Sequence, residues 1–366
     1  SSVPMILRSR FPDVPIPDCP LGDYVFAHAA EWTGRPALID GPSGRTLTYG
    51  ALREMIARCK SALVARGFAR GDVLCLFSPN VPEYAAVFFA VADLVETNTT
   101  ANPMYGAAEL ARQLADSGAK IVVTAPALAG KARSAAAAAG IGEVVAWGDA
   151  PGCTPFAEFI ASGAGAAPAT QAVDPARDVV ALPYSSGTTG LPKGVMLSHR
   201  NLVANLAQID FVDSTEVGDH LVGVLPFYHI YGMLVVLCGV LRKGGCVVTM
   251  PQFDLEQYLR LSATYRVKRA YLVPPIALAL ARHPMVDQFD LSCLKFVTSG
   301  AAPMGAELEA SCAARIGCMV KQGYGMTEAS PVTHFTPEDP TFARGGSCGL
   351  LVPNTECRVV DLIPRK

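Results

Sequence analysis

The sequence predicts an α/β fold built on a doubly wound, mainly parallel sheet. Apolar strand-like runs begin near Val179, His220, Cys246, Arg269, Leu294 and Met319. From His220 onward they recur about every 25 residues, the length of one strand plus one crossover helix. Helically spaced segments fill the gaps. Several glycine- or hydroxyl-rich segments directly follow these runs, as loops at the carboxyl ends of parallel strands do.

Taken in order, the chain opens with Pro12, Pro15, Pro17 and Pro20, which mark an extended segment. Leu52, Ile56 and Leu63 then give Tyr49–Arg66 a helical spacing. Val73–Phe77 reads as a strand, Pro82–Ala92 as a helix and Glu109–Asp116 as another. Residues 120–124 form the next strand, and the alanine run Ser134–Gly140 a plain helix. Ser162–Ala169 is small, glycine-rich and uncharged, so it reads as a linker between two lobes. In the second lobe, helices are expected over Asn201–Ile209, Leu255–Tyr265, Ile276–Arg282 and Gly305–Ile316. Asp254, with Gln257 three residues on, resembles a capping box. Leu221–Leu241 carries no formal charge and is long enough to span a bilayer. Pro226, Tyr228, His229 and Tyr231 interrupt it, so it divides better into strand, turn and buried helix.

Composition narrows the function. Apolar residues make up 51% of the 366 and charged residues 17%, which excludes a disordered polyampholyte. The net charge of −2 leaves no basic excess to drive nucleic-acid binding. An anionic ligand must therefore be held by a local device. The 11 cysteines include no C-x-x-C pair, and the six histidines no H-x-x-x-H. Reduced core cysteines in a cytoplasmic protein are expected, not a zinc site or a disulfide framework. No charged n-region with an apolar h-region opens the chain, so no signal peptide is expected.

The strongest chemical signal is Ser185-Ser186-Gly187-Thr188-Thr189-Gly190-Leu191-Pro192-Lys193-Gly194, directly after the apolar run from Val179. Glycines let backbone N–H groups approach a polyphosphate, hydroxyls donate to its oxygens, and Lys193 adds a positive charge. It is not a Walker A loop, because Pro192 precedes the lysine and Gly194 follows it. Three further segments also follow strand-like runs: Leu225–Gly232, Thr298–Pro303 and Gln322–Glu328. In an open parallel sheet all four would converge on one edge. Gly300, Ala301, Ala302 and Pro303 are small enough to pass under a planar base, and Tyr324 can stack on its other face. Thr327 offers a hydroxyl to phosphate, and Glu328 a carboxylate to Mg²⁺. His229 lies among aromatic and aliphatic residues, where a lone histidine is more often a satisfied core residue.

These segments resemble the signatures of the AMP-forming acyl-adenylate family of acyl-CoA synthetases, luciferases and adenylation domains. Within it, Leu225–Gly232, Ser299–Pro303, Gly323–Val332 and Thr100–Tyr105 are near the wording of 4-coumarate:CoA ligases. The resemblance implies a layered αβαβα arrangement with two mainly parallel sheets and the start of a small β-barrel subdomain. Residues 1–170 would form a first lobe, 171–345 a second lobe with the sites, and 346–366 the start of the β subdomain. It implies that Ser185, Ser186, Gly187, Thr188, Thr189, Gly190, Lys193, Gly300, Ala301, Ala302, Pro303, Gln322, Gly323, Tyr324, Gly325, Met326 and Thr327 hold the nucleotide. Glu328 would hold Mg²⁺. His229, Tyr231, Ser299, Gly300, Ala301, Gly325, Pro331 and Val332 would line an acyl pocket. Lys193, Thr327, Glu328 and His229 would carry the catalysis.

The implied reaction joins a hydroxycinnamate-like aryl acid to coenzyme A through an acyl-AMP, with ATP and Mg²⁺ as cofactors. Partners would be small molecules only, without nucleic acid or membrane span, in a monomer or weak homodimer. Two departures stand out. Asp93, Val95 and Glu96 occupy a stretch that relatives fill with small apolar residues or glycine. The chain also ends at Lys366, before the T-G-D segment, the hinge and the small domain with its late lysine. The resemblance therefore implies a large N-terminal domain that is nearly inactive alone. Alternatives are an adenylating enzyme for a fatty acid or with an amine acceptor, and a module that only binds nucleotide and acid.

Overall fold

The computed structural model describes residues 5–169, 171–187 and 190–360. Among these residues the strands form sheets of eight, four and five strands and a two-stranded ribbon. In the largest, Val73–Phe77 runs parallel to Thr97–Thr100 on one side and Ala119–Thr124 on the other. Val179–Ser185 adds to Thr97–Thr100, and Val144–Ala146 and Thr154–Pro155 extend the far side. The four-stranded sheet orders His220–Gly223, Cys246–Thr249, Pro36–Asp40 and Thr46–Thr48. The five-stranded sheet orders Arg269–Leu272, Phe296–Ser299, Met319–Gly325, Val332–Phe335 and Leu350–Leu351, its first three strands parallel.

Every strand run and helix expected above is present, most within two residues of the expected bounds. Asp254 Oδ1 accepts the Gln257 N–H at 2.8 Å and caps Leu255–Thr264. Three arrangements differ from expectation. The even rhythm after His220 divides between two sheets, whose edge strands His220–Gly223 and Arg269–Leu272 lie against each other. Sheet membership also crosses residue 170. Val179–Ser185 completes the sheet of the first lobe, while Pro36–Asp40 and Thr46–Thr48 join Cys246–Thr249. Finally, no closed barrel forms among the described residues. Leu350–Leu351 edges the five-stranded sheet, and Glu356–Arg358 pairs antiparallel with Ile6–Arg8.

Two helices explain the layering. In Pro82–Asp93, every residue from Tyr84 to Ala92 is buried. A helix apolar all round must lie between layers. The second begins as a π-helical stretch, Tyr231–Cys238, and continues as Gly239–Arg242. Gly232 through Cys238 are buried, which accounts for the charge-free run without a bilayer. No described helix is long and apolar enough to cross a membrane.

The fold buries charge in two ways. Arg269 lies 3.2 Å from Asp219, 3.0 Å from Glu338 and 3.6 Å from Asp213, and the Tyr271 hydroxyl donates to Asp213. Glu96, by contrast, is 1% exposed, and its Oε2 has no hydrogen-bond partner. Burial, then the nearby Asp72, push its carboxyl up to about 8 against the opposing pull of Lys120. Val95 beside it holds φ at 59°, an uncommon conformation for a β-branched residue.

Candidate active site

The segments singled out in the sequence do come together, although they arise from three sheets and not from one edge. A cavity of about 220 Å³ is lined by Ser185, His229, Tyr231, Gly300, Ala301, Gly323, Tyr324, Gly325, Met326, Thr327, Glu328, Pro331 and Val332. Ile230, Val235, Thr298 and Phe335 complete it. Val235 and Phe335 fall outside the four segments singled out for chemistry in the sequence, and Ile230 and Thr298 lie within such segments but were given no role there.

Strand alternation explains part of this lining. On Phe296–Ser299, Thr298 lines the cleft and Ser299 does not. Ser299 is fully buried with its hydroxyl unpartnered, so the acyl-contact role expected for it is not supported. Gln322 is turned inward in the same way. Its Oε1 accepts the Met304 N–H at 3.1 Å, and its Nε2 donates to Met304 O at 2.9 Å and to Glu309 at 2.8 Å. Its amide is engaged in holding the chain after Pro303 and lies outside the cavity lining. Ala302 and Pro303 are exposed beyond the lining.

Close backbone approach needs glycine at two points. A Cβ on Gly300 would lie 2.9 Å from the Tyr231 ring. One on Gly325 would lie 2.2 Å from Pro331 O. Tyr231 is fixed by its hydroxyl, which donates to Leu272 O at 3.3 Å. Ala301 takes a left-handed φ of 71° and is exposed. Tyr324 is 47% exposed, which leaves ring surface for stacking. Asn205 clamps Val332 through two bonds of 2.9 Å, donating to its carbonyl and accepting from its N–H. His229 Nδ1 accepts the Tyr231 N–H at 3.2 Å, which leaves Nε2 as the ring's remaining polar atom.

The phosphate side is more open. Lys193–Gly194 pairs antiparallel with Ser185 and Tyr184, placing Lys193 directly across from Ser185 at the cleft mouth. Ser186, Gly187, Gly190 and Lys193 are exposed and lie outside the cavity lining. Gly187 and Gly190 hold φ at 56° and 98°, the left-handed turns a phosphate-cradling loop uses. Thr188 and Thr189 lie outside the described residues. The Tyr184 hydroxyl donates to Asp116 and ties the base of the loop to the helix Ala107–Ser117. Thr327 is buried at the rim and Glu328 is exposed beside it. Among the described residues no three His, Cys, Asp or Glu side chains cluster as a metal cage. A single rim carboxylate fits Mg²⁺ that arrives with phosphates, since that ion keeps few protein ligands.

Comparison with known proteins agrees with this geometry. The model of the AMP-binding enzyme family matches residues 25–363. 4-Coumarate–CoA ligase 5 of Oryza sativa subsp. japonica is 43% identical over 97% of this chain and 67% of its own length. 4-Coumarate–CoA ligase 1 of Petroselinum crispum is 38% identical over 98% of this chain, again 67% of its length. The chain thus spans about two thirds of these relatives. Among solved structures, a long-chain-fatty-acid-CoA ligase (FadD1) from Archaeoglobus fulgidus aligns with a TM-score of 0.84 at 26% identity. It covers 94% of this chain and 71% of that one. A luciferase-like enzyme from Zophobas morio gives 0.85 at 21% over 96% of this chain and 83% of that one, and this shows the shared fold. With its signature loops gathered around one cleft and the family match spanning nearly its whole length, the chain belongs to the AMP-binding enzyme family.

Proposed function

We propose that this chain is the nucleotide- and acid-binding part of an AMP-forming carboxylic acid:CoA ligase acting on a hydroxycinnamate-like aryl acid. One observation carries the reading. A single cavity runs from a polar rim of Ser185, Thr327 and Glu328 to an apolar interior of Tyr231, Val235, Val332 and Phe335. That arrangement brings a carboxylate to a phosphate while burying the rest of the acid. The flat surface of Gly300 against the Tyr231 ring suits a planar acyl group.

In this reading the acid's carboxylate oxygen attacks the α-phosphorus of ATP, and the bond to pyrophosphate breaks. The coenzyme A thiolate then attacks the acyl carbonyl, and AMP leaves. Tyr324 stacks on the base over Gly300 and Ala301. Lys193, with the loop hydroxyls, steadies the β- and γ-phosphates, and Thr327 donates to the α-phosphate. Glu328 would hold Mg²⁺, which would offset phosphate charge. His229, on the acyl side, orients the carboxylate through Nε2. The protein contributes positioning and fixed charge more than covalent chemistry.

Calorimetry tests the reading. Replacing Lys193 or Glu328 by Ala removes a charge-assisted contact of about 1.5–3 kcal/mol, so MgATP affinity should fall roughly ten- to a hundredfold. Unchanged affinity in both variants would refute the loop assignment. Coumarate should bind more tightly than decanoate in the presence of AMP. The reverse order would favour a fatty-acid substrate.

A further inference from the structure

Lys321 stands out because the chemistry described so far leaves it without a task. It is 2% exposed, and its Nζ has no hydrogen-bond partner. Burying an amine without a partner is costly, so an unpartnered one beside a binding cleft calls for an occupant.

Register places it. Lys321 is directly opposite Thr298, which is opposite Tyr271 on the next strand, so the three share one face of the sheet. Gly323, two residues on and about 7 Å along the strand, lies on that same face and lines the cleft, as does Thr298. Phe335, paired with Gly323, lines the cleft, and Lys321 lies just behind that lining with its Nζ 3.9 Å from the Phe335 ring centroid. The rim that would hold the reacting carboxylate is at the other end, four and more residues further along this chain, at Gly325, Thr327 and Glu328.

The charged groups near Lys321 are otherwise engaged. Asp213 and Glu338 flank Arg269, and Tyr271 donates to Asp213. Burial holds the amine down to about 7, with Arg269 pushing the same way and Glu338 and Asp213 opposing. Near neutral pH it can therefore accept a hydrogen bond as the free amine or donate one as the ammonium ion.

We propose that Lys321 is a specificity-determining residue behind the Phe335 wall of the cleft, where its amine hydrogen-bonds a hydroxyl carried by the acid remote from its carboxylate. The proposal rests on the acid-activating reading above and sharpens it. A site built around a hydroxyl rejects the analogue that lacks it, because the protein's own polar group is then left unpaired.

The test measures binding of two acid pairs, each differing by one distal hydroxyl, in the presence of AMP. They are 4-hydroxycinnamate against cinnamate, and 10-hydroxydecanoate against decanoate. Calorimetry on the parent chain should show the hydroxylated member of the pair that fits bound about tenfold or more tightly. Lys321→Met should bring that ratio close to one, with MgATP affinity unchanged, and Lys321→Gln, which keeps a polar end, should restore part of it. A parent ratio near one, or a ratio that survives in Lys321→Met, overturns the proposal while the acid-binding reading stands. Selective binding of the decanoate pair overturns the aryl reading, and the same hydroxyl ratio then decides Lys321. Failure of all four acids to bind overturns both.

Discussion

The two walls of the cleft are built differently. The wall from Thr298 to Met304 and from Gln322 to Phe335 is held by buried hydrogen bonds. Gln322 grips Met304, Asn205 grips Val332, and Met326 N–H donates to Pro331 O at 3.0 Å. The opposite arm is described at Ser185–Gly187 and Gly190–Lys193, and among these described residues its ties are a ladder two residues long and the Tyr184–Asp116 bond at its base. The difference follows from what each wall must recognise. Stacking and shape complementarity vanish within an ångström or so of misfit, so the surfaces for base and acyl group must be fixed in advance. Attraction between a lysine and a polyphosphate falls off slowly with distance, so Lys193 needs no such clamp to act.

The contrast is broken most severely at Asn205. Asn205→Ala leaves the N–H and C=O of Val332 unpaired and buried, and should lower unfolding free energy by about 2–5 kcal/mol. Denaturant titration measures this, and acid affinity should fall with it. Gly325→Ala comes next. Its Cβ would meet Pro331 O at 2.2 Å, and overpacking of this kind costs about 1–3 kcal/mol. On the other wall the outcome should invert. Lys193→Ala should leave the unfolding free energy within about 0.5 kcal/mol of the parent while MgATP binding weakens. A stability loss there equal to that of Asn205→Ala would show that the arm is clamped after all. Tyr184→Phe should have the smallest effect, at most about 1 kcal/mol, seen as a severalfold weaker MgATP affinity.

The same contrast governs what could be read from the sequence. The phosphate arm was legible because its residue types are themselves the chemistry: glycines, hydroxyls and a lysine in a row. The strands and helices were legible from period and length. The clamped wall was legible in part: Gly300, Ala301, Tyr324, Gly325, Thr327, Glu328, Pro331 and Val332 were all expected near the site and line the cleft. Ser299 and Gln322 looked like ligand contacts because they adjoin the motif, but alternation turns both away from the cleft. Thr298 was given no role, and Phe335 was missed, for the converse reason, since only register shows which face a strand residue takes. The crossing of residue 170 by both sheets was equally hidden, because strand order depends on contacts far apart in sequence.

Glu96 makes hydrogen-ion activity an effector of this fold. Its carboxyl releases a proton near its ordinary value of 4.5 when unfolded and near 8 when folded. Between those values the native chain holds the proton and the unfolded chain does not, so protons act as a ligand of the native state. Stability from this group is present in mild acid and is withdrawn as pH rises through the window to about 8. Glu96→Gln should flatten that slope and raise the melting temperature at pH 8, where the parent must either hold its proton or bury a charge. A chain that carries glutamate here has coupled the integrity of its largest sheet to the acidity of its surroundings.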